Sequence, residues 1–251
     1  MTTKELRGRK RDRTKAQAKA KPGVSWELVE RVLQCSAFRV IFLFGPPGIG
    51  KTWCAMHQHG NPNGVLAVTL TEDTPAMELR GHYVQNEQGM VWQDGNFVRA
   101  LRRGATLVVN EASHAAEDVR TFLYPVLESP ETAEMTLPTG EVIKPAPGFR
   151  CVLTDNLSPE ELPEALRSRI QARLHIRKPH PAALARLSPD LRAAAEVGFD
   201  LEEERRISLR EWLALEEARP LLGLQDAAVA VFGDERGPQL LDALALGEAA
   251  D

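Results

Sequence analysis

Apolar positions along the chain fall into two arrangements, short unbroken runs and residues spaced three or four apart. The run Val40–Phe44, VIFLF, is too short for a helix and rich in β-branched and aromatic residues, so it predicts a buried strand of a parallel sheet. Runs at 65–70, 106–109, 149–154 and 170–176 predict four more strands, the one at 65–70 as a second buried strand. Helical spacing fills the intervals. Ser25 caps a helix over Trp26–Gln34 that places Trp26, Val29 and Leu33 on one face. Residues 51–58 predict a second helix, ended by the turn cluster Gly60-Asn61-Pro62-Asn63-Gly64. Residues 97–103 predict a third, closed by Gly104. Residues 118–127 predict a fourth, apart from the internal Pro125, and 162–168 a short fifth. Residues 71–94 are less regular, with Met77, Leu79, Tyr83, Val91 and Trp92 spread among polar positions. Residues 135–143 alternate around Pro138-Thr139-Gly140 and predict a hairpin.

Strands alternating with helices predict an α/β core, a parallel five-stranded sheet with helices on both faces. Pro179 and Pro181 mark its end. Beyond them Ala, Leu, Glu and Arg at helical spacing predict a separate, small all-helical domain. The expected organisation is a segment 1–22, an α/β core over 23–178 and a helical domain over 179–251.

Composition alters this picture little. A chain of 251 residues, 43% hydrophobic and 26% charged, is ordinary globular material. No apolar run reaches the ~20 residues that a membrane-spanning helix needs, and the N-terminus has no apolar stretch of the secretory kind. No membrane partner is expected, and the expected location is cytoplasmic. Cys35, Cys54 and Cys151 match no C-x-x-C pattern and read as reduced, mostly buried thiols. His57 and His59, two apart in a predicted helix, face different sides, which argues against a metal site there.

Charge adds one feature. Residues 1–22 hold nine Lys/Arg against two acids, a net of +7, while the remainder holds 22 basic against 33 acidic residues, a net of −11. A basic arm on an acidic body can bind nucleic acid or an acidic partner. With no aromatic residue interleaved to stack on bases, a solvated, disordered tail is the reading preferred.

The chemistry begins where the first strand ends. Gly45-Pro46-Pro47-Gly48-Ile49-Gly50-Lys51-Thr52 fits G-x-x-x-x-G-K-[ST], the phosphate-binding loop of nucleoside-triphosphatases. Glycines let successive backbone N–H groups turn inward toward phosphate oxygens, and the following helix presents its N-terminal end to the same anion. Lys51 supplies a charge to the β/γ phosphates and Thr52 a hydroxyl to Mg²⁺. A chance Gly/Pro turn would not be expected to match all the fixed positions directly after a buried strand. Hydrolysis also needs a carboxylate to hold the metal's water shell and another to polarise the attacking water, usually at the end of a neighbouring buried strand. The strand at 106–109 runs into Asn110 and Glu111. Glu111 is the base candidate, and Asn110 stands on the metal side, where an Asp is expected.

At this point the chain resembles the AAA+ ATPases, and most of all their MoxR branch, including the CbbQ/NorQ type. The segments that carry the resemblance, in family order over roughly residues 41–176, are GPPGIGKT, TLTEDTPAMELRGHYV, WQDGNFVRALRRGATLVVNEAS, LPTGEVIKPAPGFRCVLTDNL and LPEALRSRI. Leu79-Arg80-Gly81 and Trp92-Gln93-Asp94-Gly95 are characteristic of this branch. The resemblance implies an AAA+ nucleotide-binding core followed by a helical lid, with ATP and Mg²⁺ as cofactors. It implies further that Asn156 is the sensor-1 residue that orients the lytic water. Arg169 matches the arginine finger that serves a neighbouring subunit, with Arg167 a weaker candidate, and Arg210 matches the sensor-2 arginine of the lid, although Arg205 and Arg206 lie near. Residues 71–92 match an insertion that marks this clade, and the hairpin at 135–143 the one that precedes sensor 1. The implied assembly is a homo-oligomeric ring, expected to be hexameric. It would remodel or activate a client protein such as a von Willebrand A domain protein or a metalloenzyme. Asn110 departs from the family pattern. An amide can hydrogen-bond a metal-bound water but brings no charge, so a nucleotide-gated scaffold with little hydrolysis stays open beside the remodelling ATPase. The basic tail keeps a nucleic-acid-associated motor open as well.

Overall fold

The structure, a computed structural model, describes residues 23–87, 89–199 and 206–248; the basic segment 1–22, read above as a tail, lies outside them. In chain order the elements begin with α1 (Trp26–Gln34), β1 (Val40–Phe44), α2 (Lys51–His57), β2 (Val65–Thr69) and α3 (Ala76–Arg80). They continue with β3 (Gly81–Asn86), β4 (Gly89–Asp94), α4 (Asn96–Arg103), β5 (Thr106–Asn110) and α5 (Glu117–Leu123). Next come β6 (Met135–Thr136), β7 (Val142–Ile143), β8 (Arg150–Asp155), α6 (Glu164–Arg167) and β9 (Ala172–His175). The helices α7 (Pro181–Leu184), α8 (Pro189–Phe199), α9 (Leu209–Leu222) and α10 (Leu224–Glu248) follow, the last broken at Gly233.

Five of the strands form one parallel sheet in the order β2-β5-β8-β1-β9. The central strands are apolar along their middles because both faces are covered there, with polar residues at the ends of β5 and β8. Val40 and Phe42 of β1, Leu107 and Val109 of β5, and Cys151 and Leu153 of β8 meet α3, α4 and α5 on one side. Their alternates Ile41, Leu43, Val108 and Val152 meet α1, α2 and the C-terminal helices α8, α9 and α10 on the other. The second core is closed by large side chains such as Trp212, which is 1% exposed. Ser25 caps α1 as its position suggested, accepting a hydrogen bond from Leu28 N at 3.3 Å, and Trp26, Val29 and Leu33 are its buried face.

The structure revises the sequence reading at three places. The strand at 65–70 is not a second buried strand: β2 is an edge strand paired only with β5, and it is half-buried along most of its length. An apolar run cannot tell a central strand from an edge one. Residues 71–94 are regular after all. They form α3 and a hairpin, β3 with β4, in which Tyr83 faces Trp92 with the rings edge-on at 5.2 Å. Most of the hairpin is exposed, with Trp92 alone of its aromatics packed against the core, so no apolar alternation betrays it. The helix read over 118–127 stops at Leu123 and continues as a 3₁₀ turn, Tyr124–Leu127, because Pro125 has no N–H to donate to the carbonyl four residues back.

Cys54 and Cys151 are buried and Cys35 half-buried, all three free; burial pushes the Cys54 and Cys151 thiols up to about 12, which keeps them protonated. None of the described helices is long and apolar enough to cross a membrane.

Candidate functional site

The C-terminal end of β1 runs into the loop 45–50, and Lys51 opens α2. Gly45 has φ 142°, and a Cβ there would lie 1.8 Å from the carbonyl oxygen of Ile176, so only glycine lets the loop pass the chain that leaves β9. Lys51 is 7% exposed. Its Nζ donates to Gly45 O at 2.8 Å, Pro46 O at 2.7 Å and Asn156 Oδ1 at 3.0 Å. All three acceptors are neutral oxygens. Burial pushes the ammonium down to about 8; Glu111 and Asp155 pull it back up, and Arg210 pushes it further down.

Parallel register sets Asn110 of β5 beside Thr154 of β8 and Thr69 of β2. The Asn110 amide is used at both ends. Oδ1 accepts from Thr52 Oγ1 at 2.8 Å and from Thr154 Oγ1 at 2.9 Å, while Nδ2 donates to Thr69 Oγ1 at 3.3 Å. Glu111 follows with φ 54°, ψ 49°, the one non-glycine residue with positive φ among the described residues. A glutamate has no local side-chain reason to take the left-handed conformation, and such strain collects at functional positions.

The sequence-derived candidates thus fall into two groups. Gly45 to Thr52, Asn110, Glu111 and Asn156 lie together at the C-terminal ends of β1, β5 and β8, with the Asn156 side chain in direct contact with Lys51. Arg210 joins them from α9. Ser208 caps that helix through a reciprocal bond pair with Glu211, and the backbone N atoms of Leu209 and Arg210 lie 3.6 and 3.7 Å from where a Cβ on Gly48 would stand. Arg169 belongs to neither strand end. Its guanidinium is ion-paired with Glu128, donates to Tyr124 O at 3.2 Å and to Ala165 O, and lies 5.1 Å over the Tyr124 ring.

Three residues escaped the sequence reading. Thr154 needed the strand register to be seen. Asp155 is a carboxylate at 2% exposure, and an acid closing an apolar strand was the available signal. His180 joins the loop to the C-terminal helices: its N donates to Ile49 O at 2.9 Å and its ring lies edge-on to Trp26 and Trp53. Cys54, Glu30 and His180 bring their ligand atoms within 4.8 Å of one another. His180 Nδ1 accepts from Ala182 N at 3.2 Å, so in the neutral ring Nε2 carries the proton and faces Glu30 Oε1 at 3.3 Å, the wrong tautomer for a metal ligand.

The oxygen set around Thr52 and Asn110 suits a hard cation. The desolvated ammonium amid neutral acceptors suits an anion. Together they fit a nucleotide phosphate with its Mg²⁺.

Comparison with known proteins points the same way. The sequence profile described as AAA domain (dynein-related subfamily) matches residues 40–170. The denitrification regulatory protein NirQ of Stutzerimonas stutzeri is 33% identical over 118 residues, covering 46% of this chain and 42% of that protein. The protein NorQ of Paracoccus denitrificans is 34% identical over 119 residues, covering 46% and 43%. The protein CbbQ of Hydrogenophilus thermoluteolus is 29% identical over 132 residues, covering 51% and 48%. The matched stretch spans less than half the length of each of these relatives. Among solved structures, NtrX from Brucella abortus shares the fold with a TM-score of 0.52 at 17% identity, over 96% of this chain and 53% of that one.

Proposed function

The chain belongs to the AAA domain family (dynein-related subfamily) and, with NirQ, NorQ and CbbQ as relatives, to the MoxR branch of AAA+ ATPases; on that premise we propose that it binds ATP with Mg²⁺ at the loop 45–52, hydrolyses it, and uses the cycle in a ring to remodel a partner protein. The observation that carries this reading is Lys51, a buried cation held by three neutral oxygens, one of them from Asn156. It is a charge held ready for phosphate.

In this reading residues 23–178 are the nucleotide-binding core and 179–251 the lid. The packing of α9 on Gly48 and the His180 hydrogen bond to Ile49 support it. Lys51 trades its loop carbonyls for phosphate oxygens. Thr52 and Asn110 serve the cation side, Thr52 through the hydroxyl lone pairs that its bond to Asn110 leaves free. Thr52 and Asn110 would hold Mg²⁺, which would supply positive charge against the negative charge that develops on the phosphate. Glu111 takes the proton of the attacking water, and Asn156, already directed at Lys51, orients that water. Arg210 reaches the nucleotide from the lid. Arg169 acts on the nucleotide of the next subunit, and the ring is a hexamer. The client is a protein partner of the kind the family serves, a metalloenzyme or a von Willebrand A domain protein, in keeping with the regulatory role in the name of one relative, NirQ.

One observation favours a slower variant of the same cycle. The metal-side residue is a neutral amide, Asn110, hydrogen-bonded through both its oxygen and its nitrogen. A scaffold that assembles on ATP and turns it over slowly is the second reading. Particle size with and without ATP, measured beside steady-state phosphate release, separates them. Growth to a ring with release marks the remodeller. Growth without release marks the scaffold, and no nucleotide binding at all removes both.

A further inference from the structure

We propose that Asp155, at the end of β8, supplies the negative charge that Asn110 lacks at the end of β5, and at the same time positions Glu111. The inference rests on the ATP·Mg²⁺ reading of the site.

Asp155 closes a strand whose other residues are all buried, and it is 2% exposed itself. Its register places it beside Phe44, the last residue before the phosphate loop, and one step beyond the Asn110–Thr154 pair. It therefore stands between the loop strand and the strand that bears Asn110 and Glu111. Both carboxylate oxygens are used. Oδ2 accepts from Ser113 N at 2.6 Å, and Oδ1 accepts from Leu157 N at 3.0 Å. The first bond anchors the 3₁₀ turn Ala112–His114 that directly follows Glu111, and the second anchors the residue after Asn156. One side chain thus ties together the two loops that carry the proton acceptor and the water-orienting amide.

A buried carboxylate is costly unless hydrogen bonds and an opposite charge compensate it. Two N–H groups provide the hydrogen bonds here, and the buried Lys51 lies in the same cluster at the strand ends. An amide at 155 would offer an acceptor on one arm only. The geometry therefore requires a carboxylate at 155, at the strand end next to a position where a carboxylate is missing.

The test measures binding of fluorophore-labelled ATP by the full chain across a Mg²⁺ titration. Asp155→Asn loses one backbone cap and the charge. Asp155→Asn combined with Asn110→Asp loses the same cap but restores the charge, so the difference between the two reads the charge alone. We expect the single variant to need roughly tenfold more Mg²⁺ for half-maximal binding, and the pair to return to within about threefold of the parent. A single variant with the parent's Mg²⁺ dependence and only a lower melting temperature overturns the proposal and leaves Asp155 a loop cap. A pair no better than the single variant, or a pair that does not fold, overturns it too. If the single variant fails to fold while the pair folds and binds, the exchange of charge is upheld. A parent that binds no labelled ATP at any Mg²⁺ concentration overturns the ATP reading itself, whereas a parent that binds normally beside an unaffected single variant overturns this inference alone.

Discussion

Thr52 donates its hydroxyl proton to Asn110 Oδ1 at 2.8 Å, joining the phosphate loop to the end of β5. Thr154 donates to the same oxygen, so two hydroxyls converge on one amide. Their protons point inward and their lone pairs stay available to a cation. A carboxylate at 110 would accept both bonds unchanged, and Thr69, which now accepts from Nδ2, can turn its own proton to the second oxygen.

Asn110→Asp should therefore fold as the parent does, and its steady-state phosphate release separates two accounts of the charge: roughly tenfold faster, about 1.4 kcal/mol at the barrier, if nothing replaces the carboxylate at 110, and close to parental if Asp155 supplies it. Phosphate release at saturating Mg²⁺ checks this. An equal or lower rate would mean that the charge at 110 does not limit turnover, and the scaffold reading would lose its main support.

The Lys51 ammonium gives a pH dependence with a definite sign. Burial holds it at about 8 in the free chain, and bound phosphate favours the protonated form, raising it. Nucleotide affinity is then full below about pH 8 and falls by up to about tenfold per pH unit above it, until the raised value in the complex is reached. Lys51→Ala should abolish detectable ATP binding. Binding titrations between pH 7 and 10 check both, and an affinity that is flat in pH, or intact in Lys51→Ala, would remove Lys51 from the phosphate site.

How much of this was legible in the sequence differs by residue, for physical reasons. β1 and its loop were legible because a buried strand must be a continuous apolar run and a phosphate loop must place glycines at fixed positions. The helix α1 was legible because Ser25 and the Trp26, Val29, Leu33 spacing report on neighbours within one turn. The hairpin at 81–94 was not, because most of it is exposed, with Trp92 reaching the core, and its one conspicuous pair, Tyr83 on Trp92, forms across strands. Asp155 shows the same limit inside the site. An acid closing an apolar strand hints that Asp155 is buried, but what it holds there depends on Ser113, distant in sequence.

Glu111 carries two expectations that pull apart. Glu111→Gln should bind ATP as the parent does and stop turnover, since an amide cannot take the proton from water. Glu111→Gly should also stop turnover but relieve the left-handed backbone at φ 54°. Its stability should be unchanged or up to about 1 kcal/mol higher, the relief being partly offset by the greater freedom of glycine in the unfolded chain. Phosphate release and thermal melts of the two variants test this. A Glu111→Gln chain that hydrolyses at the parental rate would mean another group is the base.

Arg169 is held within its own chain by Glu128, Tyr124 and Ala165, with its guanidinium over the Tyr124 ring. A role on a neighbouring subunit's nucleotide requires it to leave that nest, so the ion pair with Glu128 acts as a latch, and loosening it separates the two roles Arg169 can have. If the arginine acts in trans, Glu128→Gln frees it. Phosphate release should then rise in the assembled ring while the melting temperature falls slightly, since a half-exposed ion pair contributes about 1 kcal/mol or less. If Arg169 only braces the turn at Tyr124 against α6, Glu128→Gln lowers stability and leaves turnover untouched. Arg169→Ala would then be no worse for hydrolysis than for folding. Subunit mixing supplies the second reading. Arg169→Ala rings and Lys51→Ala rings are each expected to be inactive, yet mixed rings contain interfaces that pair an intact phosphate loop with an intact Arg169, and part of the activity should return. Mixed rings shown to form by mass that stay inactive would withdraw the trans role and leave Arg169 as a brace.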